Sequence, residues 1–270
     1  MELRFSWLSN RFKIEKCKAE SCLVFFFLFS FSSWAQNLVP NFSFEETIGC
    51  FYFHDAVADW TAPPSTSPDF MSTCHSNDLN GVPKNRYGFS YPKSGNTYFG
   101  FVGSFEHNNY REYLETNLIQ PLFVGEEYCF RLWYKVPSDC MYFSDGLGVL
   151  FSKRIHAVDT HPYKAINDAQ IENPTGNFMR DTVWSKFEGS FIADSAYTNI
   201  HIGFFKEFNE VNFEVYDSTH FWDGALYYID DVYLYRCSDI YQARARADQE
   251  LCMEEADHRW VEIGFDSVPV

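Results

Sequence analysis

Carboxylates stand beside β-rich apolar runs at two places far apart in the chain. One run is Asn37-Leu38-Val39-Pro40-Asn41-Phe42-Ser43-Phe44-Glu45-Glu46, the other Tyr227-Tyr228-Ile229-Asp230-Asp231-Val232-Tyr233-Leu234-Tyr235. If these are first and last strands lying side by side, their acids could share a hard cation such as Ca²⁺, which takes roughly six to eight oxygen ligands. Such an ion would clamp the two chain ends together, and no catalysis follows from it.

A second chemistry resides in the rings. Phe, Trp and Tyr make up 20% of the chain, and a ring face stacks on the apolar face of a pyranose while nearby Asn, Asp, Arg or Glu select the sugar. Among loop residues Trp60, Tyr87 and Tyr91 are candidates, with Tyr110, Arg111 and Tyr113 forming a compact polar-aromatic cluster; Trp133 and Tyr142 could lie on or beside a sheet face. Arg111 has a planar fork suited to adjacent hydroxyls or a uronic carboxylate. The competing reading is that most rings fill a core and that Arg111 pairs with Glu112.

Motifs with a catalytic mechanism attached are missing: there is no Gly-x-Ser-x-Gly, His-Glu-x-x-His or phosphate-binding glycine loop. Loose pairs such as His54-Asp55, His107 with Tyr110-Arg111, and Glu214 with Asp217 leave a jelly-roll glycosidase or polysaccharide lyase as an alternative. The expectation is a non-enzyme.

Residues 1–35 read as a secretory signal peptide. Arg4, Arg11, Lys13, Lys16 and Lys18 precede the apolar run Cys22–Phe31, and Ser33-Trp34-Ala35 offers a cleavage point. The run is shorter than the roughly 20 apolar residues of a transmembrane helix, so no membrane span is expected after cleavage. Export to the periplasm, outer-membrane surface or medium follows. The leader carries more basic than acidic residues, so the remainder is more acidic than the net −16 of the whole chain. Such a surface repels nucleic acid and anionic membranes.

Eight cysteines become six without the leader: Cys50, Cys74, Cys129, Cys140, Cys237 and Cys252. An even number in an exported chain argues for disulfides, and the lack of Cys-x-x-Cys spacing argues against zinc. Cys50–Cys74 would close the first loop region and Cys237–Cys252 would tie the tail to the last strand, leaving Cys129–Cys140.

The elements that must position these groups are strands. Thr97–Phe105, Glu127–Val136, Gly146–Ser152, Trp184–Ile192 and Asn199–Phe205 are rich in aromatic and β-branched residues, and several alternate polar with apolar. Helical periodicity appears only near Glu112–Asn117 and over Ser238–Arg259. Phe51–Ser94 and Lys153–Thr182 hold turn-forming clusters and read as long end loops. The chain divides into the leader, one domain over 36–237 and a partly helical tail over 238–270.

In order, Asn37–Glu46, Pro68-Asp69-Phe70 with Cys74, Val82-Pro83-Lys84-Asn85, Ser94–Gly100, Tyr110-Arg111-Glu112-Tyr113, Leu118–Leu122, Gln170–Asn173, Asp181–Trp184 and Ile202–Phe205 resemble a family of bacterial exported domains. These are galactose-binding-like jelly rolls, often ahead of a peptidoglycan-binding module of the outer-membrane protein A type. The opening and closing motifs are similar to those of carbohydrate-binding modules of the same sandwich. The resemblance implies an all-β, antiparallel jelly-roll β-sandwich with long end loops and a short C-terminal helix. It implies a structural Ca²⁺ held by Glu45 and Asp231, with Asp230 as the alternative. It also implies carbohydrate or cell-surface glycan as partner, or adhesion to envelope proteins. Residues 238–270 are too few to hold a peptidoglycan-binding module.

Overall fold

A computed structural model describes residues 36–64, 66–76, 79–105, 110–155, 169–220 and 222–240. All belong to the second of two compact units, Ala35–Val270. The leader, and the tail beyond 240 with Cys252, lie outside the described residues; residues 237–240 begin a helical turn where the tail helix is expected.

Runs of β-branched and aromatic residues form the long strands, and short ones arise where Pro, Gly and Asn interrupt them. One sheet orders β1 (Trp60–Thr61), β6 (Leu114–Asn117), β12 (Asn199–Phe204), β9 (Leu147–Ser152) and β10 (Ile171–Glu172). The other orders β11 (Ser185–Ile192), β7 (Glu127–Lys135), β14 (Trp222–Arg236), β5 (Thr97–Phe105) and β2 (Asp69–Ser72). β8 (Cys140–Ser144) and β13 (Phe213–Val215) extend the second sheet beside the start of β14, and β3 (Lys84–Asn85) pairs with β4 (Gly88–Phe89). Among the described strands, pairing is antiparallel except between β8 and β14; Ser72 and Gly81 form an isolated parallel bridge. The chain is therefore an all-β jelly-roll sandwich.

Alternation makes the core. Tyr128, Phe130, Leu132 and Tyr134 of β7 point inward to meet Leu147, Val149 and Phe151 of β9 and Ile200, Ile202 and Phe204 of β12 in one buried cluster. Their neighbours Cys129, Trp133 and Lys135 are half-exposed on the outer face.

Two expectations on elements are corrected. Glu112–Asn117 is extended, with Leu114–Asn117 as β6, because strands on both sides take its hydrogen bonds and override the local propensity. Asn37–Glu46 is a chain of turns instead of a strand. It still runs along β14: Leu38 N donates to Leu234 O and Val232 N to Phe42 O, each at 2.8 Å. Positive φ at Asn41 (41°) and Phe44 (62°) on one side and Asp231 (49°) on the other breaks regular pairing.

Candidate functional site

The first and last segments meet at one loop, Lys93–Thr97. Glu45 Oε1 accepts from Asn96 N (2.9 Å), Thr97 N (3.0 Å) and Thr97 Oγ1 (2.7 Å). Asp230 Oδ2 accepts from Lys93 N (2.9 Å) and Ser94 N (3.1 Å), and its Oδ1 from Asp231 N (2.7 Å). Asp231 Oδ1 accepts from Ser94 Oγ at 2.7 Å. Gly95 is required twice over: its φ is +60°, and a Cβ there would lie 2.4 Å from the Glu45 carboxyl.

Burial, then the adjacent Asp231, pushes the Asp230 carboxyl well above the usual range. Burial raises Asp231 too, Ser94 and Lys93 oppose it, and the Glu45 charge adds to the rise. The donor chemistry fits a hard cation at Glu45 and Asp231. Among the described residues Asp231 Oδ2 accepts no hydrogen bond and Glu45 Oε2 has only a 3.4 Å contact with Asn96 Nδ2, and a cation would relieve the repulsion between the two acids. It does not fit Asp230, whose oxygens both face backbone N–H groups.

Most of the rings expected to touch ligand are internal. Trp60 is buried, with Nε1 donating to Asn41 O at 3.0 Å and its ring edge-on to Phe44. Tyr87 is buried, its hydroxyl donating to Asp69 Oδ2 at 2.5 Å. Tyr113 is buried and donates to Phe204 O at 2.7 Å. Tyr142 is likewise buried. Arg111 is 1% exposed, and its Nη1 donates to the Phe204 and Lys206 carbonyls instead of Glu112, while Nε and Nη2 are buried with no hydrogen-bond partner among the described residues. Tyr110 is half-buried and donates to Glu112 Oε1 at 2.8 Å. The loops fold back onto the sandwich, and the desolvated Tyr and Trp heads find backbone or carboxylate partners. Trp60, Tyr87, Arg111 and Tyr113 are therefore corrected from loop-binding residues to structural ones.

The cysteine pairing differs as well. Cys50–Cys74 is present, whereas Cys129 bonds to Cys237 and Cys140 is a buried free thiol. Cys129 lies opposite Tyr235 near the end of β14, and Cys140 opposite Trp222 at its start. Those positions are about 40 Å apart along a strand, so Cys129 and Cys140 cannot meet. Burial pushes the Cys140 thiol up to about 12.

Among the described residues, the outer face of the second sheet stays open. Trp133 is half-exposed on β7, with Lys93 Nζ 4.3 Å and Lys186 Nζ 5.5 Å from its ring centroid. Along the same face Phe42 packs on Tyr233 at 5.0 Å, and Tyr233 stacks with Tyr235 at 6.1 Å and 13°. Arg131, opposite both Tyr233 and Glu188, pairs with the latter. Tyr91, 64% exposed and edge-on to Phe89, adjoins this face through Ser90, whose Oγ accepts from Lys135 Nζ. At the sheet's rim a cleft of about 560 Å³ lies between β10 and β11, lined by Gln170, Glu172, Asn173, Asn177, Asp181 and Tyr134. Lys186 and Glu188 line it too, and join it to the Trp133 face. Burial raises the Glu172 carboxyl there. The sequence signal for this site was the alternation Cys129-x-Arg131-x-Trp133-x-Lys135, which puts polar and aromatic groups together on the wet face.

A different arrangement crosses the first sheet. Glu115 Oε2 lies 2.6 Å from His201 Nδ1, and His201 Nε2 lies 2.7 Å from Ser152 Oγ, on three adjacent strands. Glu115 and His201 are fully buried and Ser152 half-buried.

No family model matches the chain, and no curated protein matches it in sequence. Solved structures share its course loosely. The CBM22-1 xylan-binding domain of Paenibacillus barcinonensis Xyn10C is 12% identical, with a TM-score of 0.40 over 75% of this chain and 95% of that one. A cyclase from Fischerella sp. TAU is 14% identical, with a TM-score of 0.42 over 74% and 96%. TmCBM61 in complex with beta-1,4-galactotriose is 14% identical, with a TM-score of 0.32 over 75% and 99%. At this level of likeness they assign neither ligand nor activity.

Proposed function

We propose that the protein is an exported, non-catalytic carbohydrate-binding sandwich whose site is the outer face of the second sheet. The observation that carries this is a polar cleft at the β10–β11 rim that shares Lys186 with the face of the half-exposed Trp133 ring, with Tyr233 and Tyr235 further along that face. Amide and carboxylate groups in the cleft suit sugar hydroxyls, and the ring suits the apolar face of a pyranose. The partner is a cell-surface or environmental glycan. A Ca²⁺ at Glu45 and Asp231 would hold the Lys93–Thr97 loop, and with it Lys93, against Trp133; its role is structural. A glycan-array screen of the protein, with and without chelator, tests the reading. Binding to extended glycans supports it, and an empty array together with progressive cleavage of a polysaccharide overturns it.

The Glu115–His201–Ser152 line favours a second reading, that of an enzyme, because a carboxylate 2.6 Å from one imidazole nitrogen and a hydroxyl 2.7 Å from the other are the parts of an activated nucleophile, although here Ser152 Oγ donates to Arg154 O. Labelling of Ser152 by a fluorophosphonate, lost in His201→Ala, would favour that reading, and an unlabelled protein would remove it.

A further inference from the structure

His75 occupies an unusual setting for a histidine. It is 8% exposed, its ring is stacked on Tyr52 at 5.0 Å and 18°, and Phe70 meets it edge-on at 6.1 Å. Its Nδ1 faces the Cys50–Cys74 disulfide, 3.4 Å from Cys50 Sγ, while Nε2 is buried with no hydrogen-bond partner among the described residues. Both cysteines are exposed to solvent.

The geometry points to Cys50, Cys74 and His75 as a soft-metal site that opens when the disulfide is reduced. The two sulfurs and the imidazole nitrogen lie within 4.8 Å of one another. A tetrahedral zinc-like ion with ordinary bond lengths spans about 3.6 Å between sulfur and nitrogen and about 3.8 Å between sulfurs. The first distance is close to that present. The second needs only side-chain rotation about Cα atoms 6.0 Å apart. A dithiol reductant would give two electrons and two protons to the Cys50–Cys74 bond and leave as its own cyclic disulfide. A divalent soft cation would then displace both protons, gaining two thiolates and the imidazole, with water in the fourth position. The same loop, which carries exposed Ile48, Phe51, Tyr52 and Phe53, would thus be stapled by disulfide in one state and by metal in the other.

The test is titration with Cd²⁺, read by the ultraviolet thiolate-to-metal absorption, on protein reduced by dithiol and then freed of it. Because reduction also releases Cys129 and Cys237, the reference is reduced Cys50→Ser/Cys74→Ser protein. The expected result is one Cd²⁺ bound by reduced wild type beyond that reference, at least ten-fold weaker binding in His75→Ala, and no thiolate-to-metal absorption from the oxidised protein. Reduced wild type that matches the reference, or that binds no tighter than His75→Ala, overturns the site.

Discussion

At the scale of single residues, burial divides aromatics that hold the fold from those that can meet a ligand. Trp60 is buried with its indole N–H bonded to Asn41 O. Trp60→Ala should therefore cost about 3–5 kcal/mol of stability, measured by denaturant unfolding, without changing affinity in the fraction that stays folded. Trp133 is half-exposed between two ammonium groups. Trp133→Ala should weaken glycan binding by roughly ten-fold, about 1.4 kcal/mol, with an unchanged melting curve. Sequence alone could not separate these two tryptophans. Each stands in a polar-aromatic setting, and only the course of the loops shows that Trp60 turns inward. Arg111 misled for the same reason: the carbonyls of Phe204 and Lys206 that hold it are about ninety residues away in the chain.

Among the elements, β14 carries most of the tertiary logic, flanked by β5, β7 and β8 and by the opening segment. Its outline was legible from the Tyr227–Tyr235 run, as were the long strands from their alternation. The opening segment was not, because its side-chain pattern is strand-like while Asn41 and Phe44 turn the backbone to positive φ. The Cys129–Cys237 bond closes a span of 108 residues. Chain-entropy arguments give such a closure up to about 4.7 kcal/mol. Peptide mapping of non-reduced protein should recover Cys50–Cys74 and Cys129–Cys237, with Cys140 labelled only after denaturation; a Cys129–Cys140 peptide would contradict the register of β7 and β14. The acid pair in β14 sets a pH dependence. Asp230 and Asp231 have carboxyl pKa values raised above their unfolded values, so the folded chain binds these protons more tightly. That contribution is complete below the ordinary carboxylate range and is lost as pH rises through the raised values. In chelator, the melting temperature should fall as pH rises above the ordinary carboxylate range, and Asp230→Asn should flatten that fall. A melting temperature that climbs with pH in both proteins would show that these acids are not protonated in the fold.

For the molecule as a whole, the sandwich was readable because its long strands alternate over many residues, whereas the binding face arises from neighbours in space. Lys93, Trp133, Lys186 and Tyr233 come from a loop and three strands. No linear motif joins them. Among the described residues no helix is long and apolar enough to cross a membrane. If Ca²⁺ occupies Glu45 and Asp231, chelation should lower the melting temperature of the wild type at neutral pH and leave Asp231→Ala unmoved. The most direct test of the central claim is calorimetric titration of an array-identified oligosaccharide into wild type, Trp133→Ala and Tyr110→Ala. The account predicts binding that weakens roughly ten-fold in Trp133→Ala and is retained by Tyr110→Ala. Equal affinity of wild type and Trp133→Ala, with loss in Tyr110→Ala, would contradict it.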